Sequence, residues 1–124
     1  MEVFAVEGLP EIREGDDLAG LIADRVTLRP DDVVCVASTV VSKAEGRTAN
    51  LAEYSPNDRA RAIAERVGAI AGEEKDPRFA QAVLAESAEL LLSAPILLAV
   101  TGFGHITVNA GIDRSNVPDA DLLL

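Results

Sequence analysis

Two polar stretches, each following an apolar run, hold most of the side chains in this sequence that could do chemistry. The first is Ser38-Thr39-Val40-Val41-Ser42-Lys43-Ala44-Glu45-Gly46-Arg47, preceded by the apolar run Val33 to Ala37. Hydroxyls and an ammonium suit phosphate oxygens, and Arg47 adds a guanidinium that can make a forked contact. Ligands in α/β layouts tend to sit at the carboxyl ends of strands, where polar side chains can converge without being buried. On spacing alone the stretch is also readable as a strand ending in capping hydroxyls and a surface lysine.

The second stretch is Val108-Asn109-Ala110-Gly111-Ile112-Asp113-Arg114-Ser115-Asn116. Its small residues fit a tight turn after a strand. Asp113 is a hard oxygen ligand of the kind magnesium or manganese takes beside phosphates, and Asn116 can hydrogen-bond a nucleotide. Asp and Asn are equally ordinary turn residues, so local spacing leaves both readings open.

The elements that must position these residues can be outlined from the pattern. Glu2 to Glu7 alternates apolar and polar residues and predicts a strand, which Gly8-Leu9-Pro10 breaks. Asp16 and Asp17 precede Leu18, Leu21, Ile22 and Val26, the spacing of a short amphipathic helix with acidic residues at its start. Arg29-Pro30-Asp31-Asp32 is a turn, and Val33 to Ala37 predicts a strand buried on both faces. Ser55-Pro56-Asn57-Asp58 predicts a helix capped by Ser55, with Ala60, Ile63, Ala64 and Val67 inward and Gly68 closing it. Asp76-Pro77 opens another helix, with Phe79, Val83 and Leu90 inward. Ile96 to Thr101 and Ile106 to Asn109 flank Gly102-Phe103-Gly104-His105 and predict a β-hairpin. The fold class is therefore α+β: a mixed sheet with a hairpin and three or so helices, in one domain over residues 1–124.

Composition narrows the function classes. Hydrophobic residues make up 48% of the chain and aromatics 3%, so the core must be built from Val, Ile, Leu and Ala. The net charge of −10 repels phosphate backbones and anionic lipid, which disfavours nucleic-acid and membrane-surface partners. Two lysines stand against nine arginines, and this acidic, lysine-poor pattern resembles proteins of high-salt, halophilic cytoplasm. The one cysteine, Cys35, excludes a disulfide framework and suits a reducing cytosol. It reads as a buried small hydrophobe, and Tyr54 as packing before a helix. His105 has no second histidine with which to bind metal. The paired acids Asp16-Asp17, Asp31-Asp32 and Glu73-Glu74 read as solvated turns and helix starts. The apolar segment Leu90 to Val100 is too short for a bilayer span. Three final leucines, Leu122 to Leu124, are costly to leave in water, which leads to the expectation that the natural chain continues or that they pair with another subunit.

Taken together, these runs resemble one family. Val6-Glu7-Gly8-Leu9-Pro10, the Ser38-to-Arg47 stretch, Asp76-Pro77-Arg78-Phe79 with Val83-Leu84-Ala85-Glu86-Ser87, and the Asn109-to-Asn116 stretch occur in the order and spacing of the coenzyme F-420 γ-glutamyl ligases. The resemblance covers nearly the whole chain and corresponds to the N-terminal half of that family, which is about twice as long. It implies a larger two-subdomain fold and a cytoplasmic, homodimeric enzyme, with the leucine-rich hairpin a candidate interface. The implied reaction is GTP-dependent addition of L-glutamate to coenzyme F-420-0 through an acyl phosphate. Leu9, Pro10, Glu11, Ile12, Ser38, Thr39, Lys43 and Asn116 would contact GTP. Asp113 would hold one magnesium or manganese ion, with potassium a further candidate, and no residue is assigned as catalytic. Glu11, a carboxylate beside a triphosphate, is expected to face solvent while its loop offers backbone groups. The later half supplies further metal ligands in the family, so this chain by itself is expected to be nearly inactive. The rival reading is a non-catalytic nucleotide-binding or assembly module of the same fold.

Overall fold

A computed structural model describes residues 1–115, Val117, Asp119 and 121–124. The chain forms two compact units, Met1–Thr48 and Ala49–Leu124.

The first unit holds two short helices on a framework of irregular chain. Asp17 starts α1 (Leu18–Ala23), its carboxylate accepting from the Gly20 backbone N–H at 3.0 Å. This is the acidic helix start that the sequence predicts. The turn at Arg29 to Asp32 also forms, closed by the Asp32 N–H on the Arg29 carbonyl at 3.1 Å. The two strands expected here do not form. Glu2 to Glu7 is irregular, with Val3 83% and Phe4 63% exposed. Val33 to Ala37 is irregular as well, and Cys35 is exposed rather than buried. A strand needs a partner to satisfy its backbone, and no described residue of this unit supplies one. The stretch after it becomes helix α2 (Ser38–Ala44) and not the polar end of a strand. Ile12 is the one buried hydrophobic residue of the unit among those described.

The second unit carries the main core. Helix α3 (Asp58–Ala71) is capped by Asn57, whose amide oxygen accepts from the Ala60 N–H at 2.8 Å. The expected cap, Ser55, lies two residues before Asn57, which takes its place. Asn57 is itself a strong cap and ties its own N–H to Gln81 at 3.1 Å. The helix runs through Gly68 and ends at Gly72, which takes the left-handed φ of 72°. Gly68 serves packing instead, since a Cβ there would lie 2.8 Å from the Glu73 carbonyl oxygen.

Asp76 caps α4 (Pro77–Glu86) through the Arg78 N–H at 2.8 Å, with Pro77 in the first turn, as the sequence predicts. This helix stops at Ser87, so Leu90 faces the core from a strand and not from the helix. That strand is β2 (Ser87–Leu92), paired antiparallel with β3 (Leu98–Thr101). β3 pairs in turn with β4 (Ile106–Val108), in the register Leu98–Val108, Ala99–Thr107, Val100–Ile106. The expected hairpin is therefore present, trimmed of Ile96, Leu97 and Asn109 at its ends. A second, two-stranded sheet joins β1 (Ala49–Asn50) to β5 (Leu122–Leu123), also antiparallel. The α+β expectation holds, and the described strands divide between two small antiparallel sheets instead of sharing one mixed sheet.

Two apolar clusters hold this unit. Ala60, Ile63 and Ala64 of α3 meet Ala80 and Val83 of α4 and Leu97, with Phe79 and Leu90 packed alongside. Leu51, Ala82 and Leu123 form the other cluster, which Tyr54 covers. Leu123 thus finds its cover within the unit at 2% exposed, while Leu122 and Leu124 are half-buried. Burying a leucine is worth roughly 1.5–3 kcal/mol, enough to hold a two-residue strand in place.

Candidate functional site

The residues singled out in the first unit converge on α2. The loop from Leu9 to Gly15 is fastened to the end of that helix. Ile12 anchors it by burial, and the Gly15 N–H donates to the Ala44 carbonyl at 2.9 Å. Where the loop passes α2, the Lys43 ammonium donates to Glu11 Oε1 at 2.7 Å. Gly46, with a φ of 64°, ends the helix where a Cβ would lie 2.6 Å from the Glu14 side chain. A larger residue there would have to displace the exposed Glu14 side chain and adopt a left-handed backbone.

Lys43 and Glu11 are unequal partners. The lysine side chain is 18% exposed and the glutamate 74%. The hydrogen bond from Lys43, and then its charge, hold the Glu11 carboxyl below the usual carboxylate range. Glu11 does face solvent, as expected, but it does so as the counter-ion of the ammonium. Pattern reading on the sequence could not have found this contact, because 32 positions separate the two residues. Thr39 stands four residues before Lys43, and that interval puts both on one face of α2. Ser38 opens the helix, one residue earlier. The structure therefore brings a largely shielded ammonium to the loop at Glu11 and sets the Thr39 hydroxyl on the same helix face, groups suited to anionic oxygens.

Asp113 belongs to the second unit, where Asn109, Ala110 and Gly111 have φ values of 54°, 55° and 83°. Three successive residues in the left-handed region form a sharp, costly turn, tolerated by Gly and Asn but strained for Ala. Ala110 and Ile112 pack against the larger apolar cluster, and that packing holds the turn. The tight turn expected from the small residues is confirmed; the strain at Ala110 leaves no mark in the sequence.

Beyond the turn, the Asp113 N–H and carbonyl pair with Leu124, each bond 2.9 Å long. Its carboxylate accepts from the Ser115 N–H and hydroxyl, both at 2.7 Å. The hydroxyl bond, then the backbone one, hold its carboxyl below the usual carboxylate range, so Asp113 stays ionised. Each oxygen keeps a further lone pair, so the group suits one position around a hard cation. Among the described residues no group of three or more His, Cys, Asp or Glu side chains is placed to hold a metal. Asn116 lies outside the described residues.

A sequence model of the F420-0:gamma-glutamyl ligase family matches residues 8–124. The chain belongs to this ligase family. Among curated relatives, the coenzyme F420:L-glutamate ligase of Halorubrum lacusprofundi is 68% identical over 124 residues, covering 100% of this chain and 49% of the relative. The protein of the same name from Archaeoglobus fulgidus is 55% identical, again over 100% of this chain and 47% of its own length. That of Methanosarcina acetivorans is 47% identical over 98% of this chain and 46% of its own. The chain spans about half the length of these curated relatives. The ligase family resemblance read from the four motif runs is thereby confirmed. No helix among the described residues is long and apolar enough to cross a membrane.

Proposed function

We propose that this chain is the N-terminal part of a cytoplasmic, homodimeric ligase that joins L-glutamate to coenzyme F-420-0 with hydrolysis of GTP. What carries the reading is family membership over residues 8–124, with Lys43 and Thr39 on one face of the helix where the resemblance puts nucleotide phosphates. In the proposed reaction a carboxylate oxygen of F-420-0 attacks the γ-phosphorus of GTP, and GDP leaves. The amine nitrogen of glutamate then attacks the acyl carbon, phosphate departs, and the nitrogen loses its proton.

The residues of this chain bind and neutralise in that scheme. Lys43 meets phosphate oxygens with its ammonium, Ser38 and Thr39 donate hydroxyl protons, and Leu9 to Ile12 contribute backbone groups. Asp113 would supply one carboxylate oxygen to magnesium or manganese, and the rest of the enzyme, phosphates and water would supply the other ligands. Such an ion, when bound, offsets charge developing on the transferring phosphoryl group.

Titration calorimetry of GTP and ATP in the presence of magnesium tests the reading. GTP is expected to bind more tightly than ATP, and Lys43→Ala to weaken GTP by about tenfold or more, the scale of a lost charged hydrogen bond. Asp113→Asn keeps an oxygen for Ser115 while removing the charge, so it is expected to abolish the dependence of binding on magnesium. Nucleotide binding unchanged by Lys43→Ala would end the proposal.

A further inference from the structure

Away from Lys43 and Asp113, the second unit carries a cavity of about 270 Å³ between α3 and the end of β2. On the helix side its wall is Arg59, Ala62, Ile63 and Arg66. These fall at intervals of three, four and seven, so they share one helix face. The small side chain of Ala62 leaves a notch between the two arginines. Leu90, Leu91 and Ser93 form the opposite wall, apolar at the leucines and polar at the serine.

Among the described residues, neither guanidinium of this notch is ion-paired. Arg78, by contrast, is paired with Asp76 and Asp121, and Lys75 with Glu73. Among the described residues neither Arg59 nor Arg66 has a carboxylate within ion-pair distance, although the chain carries a net charge of −10. Arg66 Nη1 donates instead to Ser93 Oγ at 3.2 Å. The serine oxygen is thereby an acceptor, which leaves its own proton to donate to a third group. Two forked guanidiniums and a hydroxyl then line a concave space roomy enough for a small ligand.

We propose that this notch binds a small oxyanion, a phosphate or a dicarboxylate, with Arg59 and Arg66 each taking a pair of its oxygens and Ser93 donating to one of them. A planar carboxylate or a phosphate face matches the fork of each guanidinium. Seven residues of helix separate the two arginines by about 10 Å along the axis, so their long side chains close on the ligand from both ends. The site stands apart from the ligase reading, since none of its residues belongs to the nucleotide or metal positions.

The test follows the Nε–H signals of Arg59 and Arg66 by NMR during titration with inorganic phosphate, glutarate, or sodium chloride at matched ionic strength. Saturable shifts with phosphate or glutarate, on the order of millimolar affinity and absent with chloride, are expected, and the better probe identifies the ligand class. The Arg59→Gln/Arg66→Gln double variant should bind at least ~10-fold more weakly, consistent with loss of charged hydrogen bonds. Arg61→Gln, on another face of α3, should bind as wild type. Circular dichroism verifies the fold, and the single variants, each expected to weaken binding several-fold, serve if the double variant does not fold. Shifts matched by chloride, no saturation with either probe, or wild-type affinity in the folded arginine variants would overturn the proposal.

Discussion

Lys43 is largely shielded by its surroundings, and an ammonium in such a place needs an anion. Glu11 supplies one at 2.7 Å, but it is itself mostly in water, where ion pairs contribute little. The contact is therefore easy to exchange for a phosphate oxygen. Replacing Glu11 by Gln removes the competing charge. Under the proposed function, Glu11→Gln should tighten GTP binding roughly two- to fivefold at low salt, as expected for loss of an exposed ion pair. The gain should vanish when Lys43 is also changed to Ala, and calorimetry on the four proteins of the cycle reads the coupling directly. Weaker binding by Glu11→Gln would mean that the carboxylate positions the lysine instead of competing for it. Because the Glu11 carboxyl is held below its usual range, the pair is present at neutral pH and fades only as pH falls through that lowered value.

Among the elements, α4 shows how one side chain serves two purposes. Asp76 caps the helix through the Arg78 N–H and also pairs with the Arg78 guanidinium at 2.7 Å. Hydrogen bonding by Arg78, outweighing the cost of burial, holds the Asp76 carboxyl below its ordinary value. A depressed carboxyl stabilises the folded state above its unfolded pKa and loses that contribution as pH falls through the folded one. Asp76→Asn should preserve the cap while flattening the loss of stability below roughly pH 4, the range of an unperturbed aspartate. Asp76→Ala should lose the cap as well and cost about 1 kcal/mol at neutral pH, within the 0.5–2 kcal/mol range of cap deletions. Urea unfolding of both variants across the acid range separates the two contributions. Equal stability of the Asn and Ala variants would show that the cap is not in use.

At the scale of the molecule, the core is unevenly shared. Among the described residues, ten of the 11 buried hydrophobic ones lie in Ala49–Leu124, which leaves Ile12 alone in the first unit. Leu51 is fully buried against Ala82 and Leu123, in the cluster that fastens β1 and β5. Leu51→Ala should therefore destabilise the second unit by about 2–5 kcal/mol, the range for buried leucine truncation. A loss within error of zero in chemical denaturation would place that cluster outside the cooperative fold. The other property of the whole chain is its charge. A net −10 on 124 residues is self-repulsive, and salt screens that repulsion within about 3 Å at molar concentration. The melting temperature should rise steadily from low to molar potassium chloride, and a flat or falling curve in a thermal scan would contradict adaptation to high salt.

Much of this was determined by the sequence alone, and for local reasons. The Asp76-Pro77 helix start, the Asp17 cap, the glycine-containing hairpin and the tight turn before Asp113 are each fixed by a few adjacent residues. Their side chains satisfy or constrain nearby backbone groups, so a short window suffices to read them. The family was equally legible, because four motif runs keep their order and spacing along the chain. Other features depended on partners distant in sequence. Val33 to Ala37 has the composition of a buried strand, yet without a neighbouring strand it stays irregular and leaves Cys35 exposed. Leu122 to Leu124 looked unpartnered until β1 and Leu51 covered Leu123. Glu11 met Lys43 only because the loop docks on α2. A strand's pairing, a leucine's burial and an ammonium's counter-ion are set by through-space neighbours, and those only the tertiary structure decided.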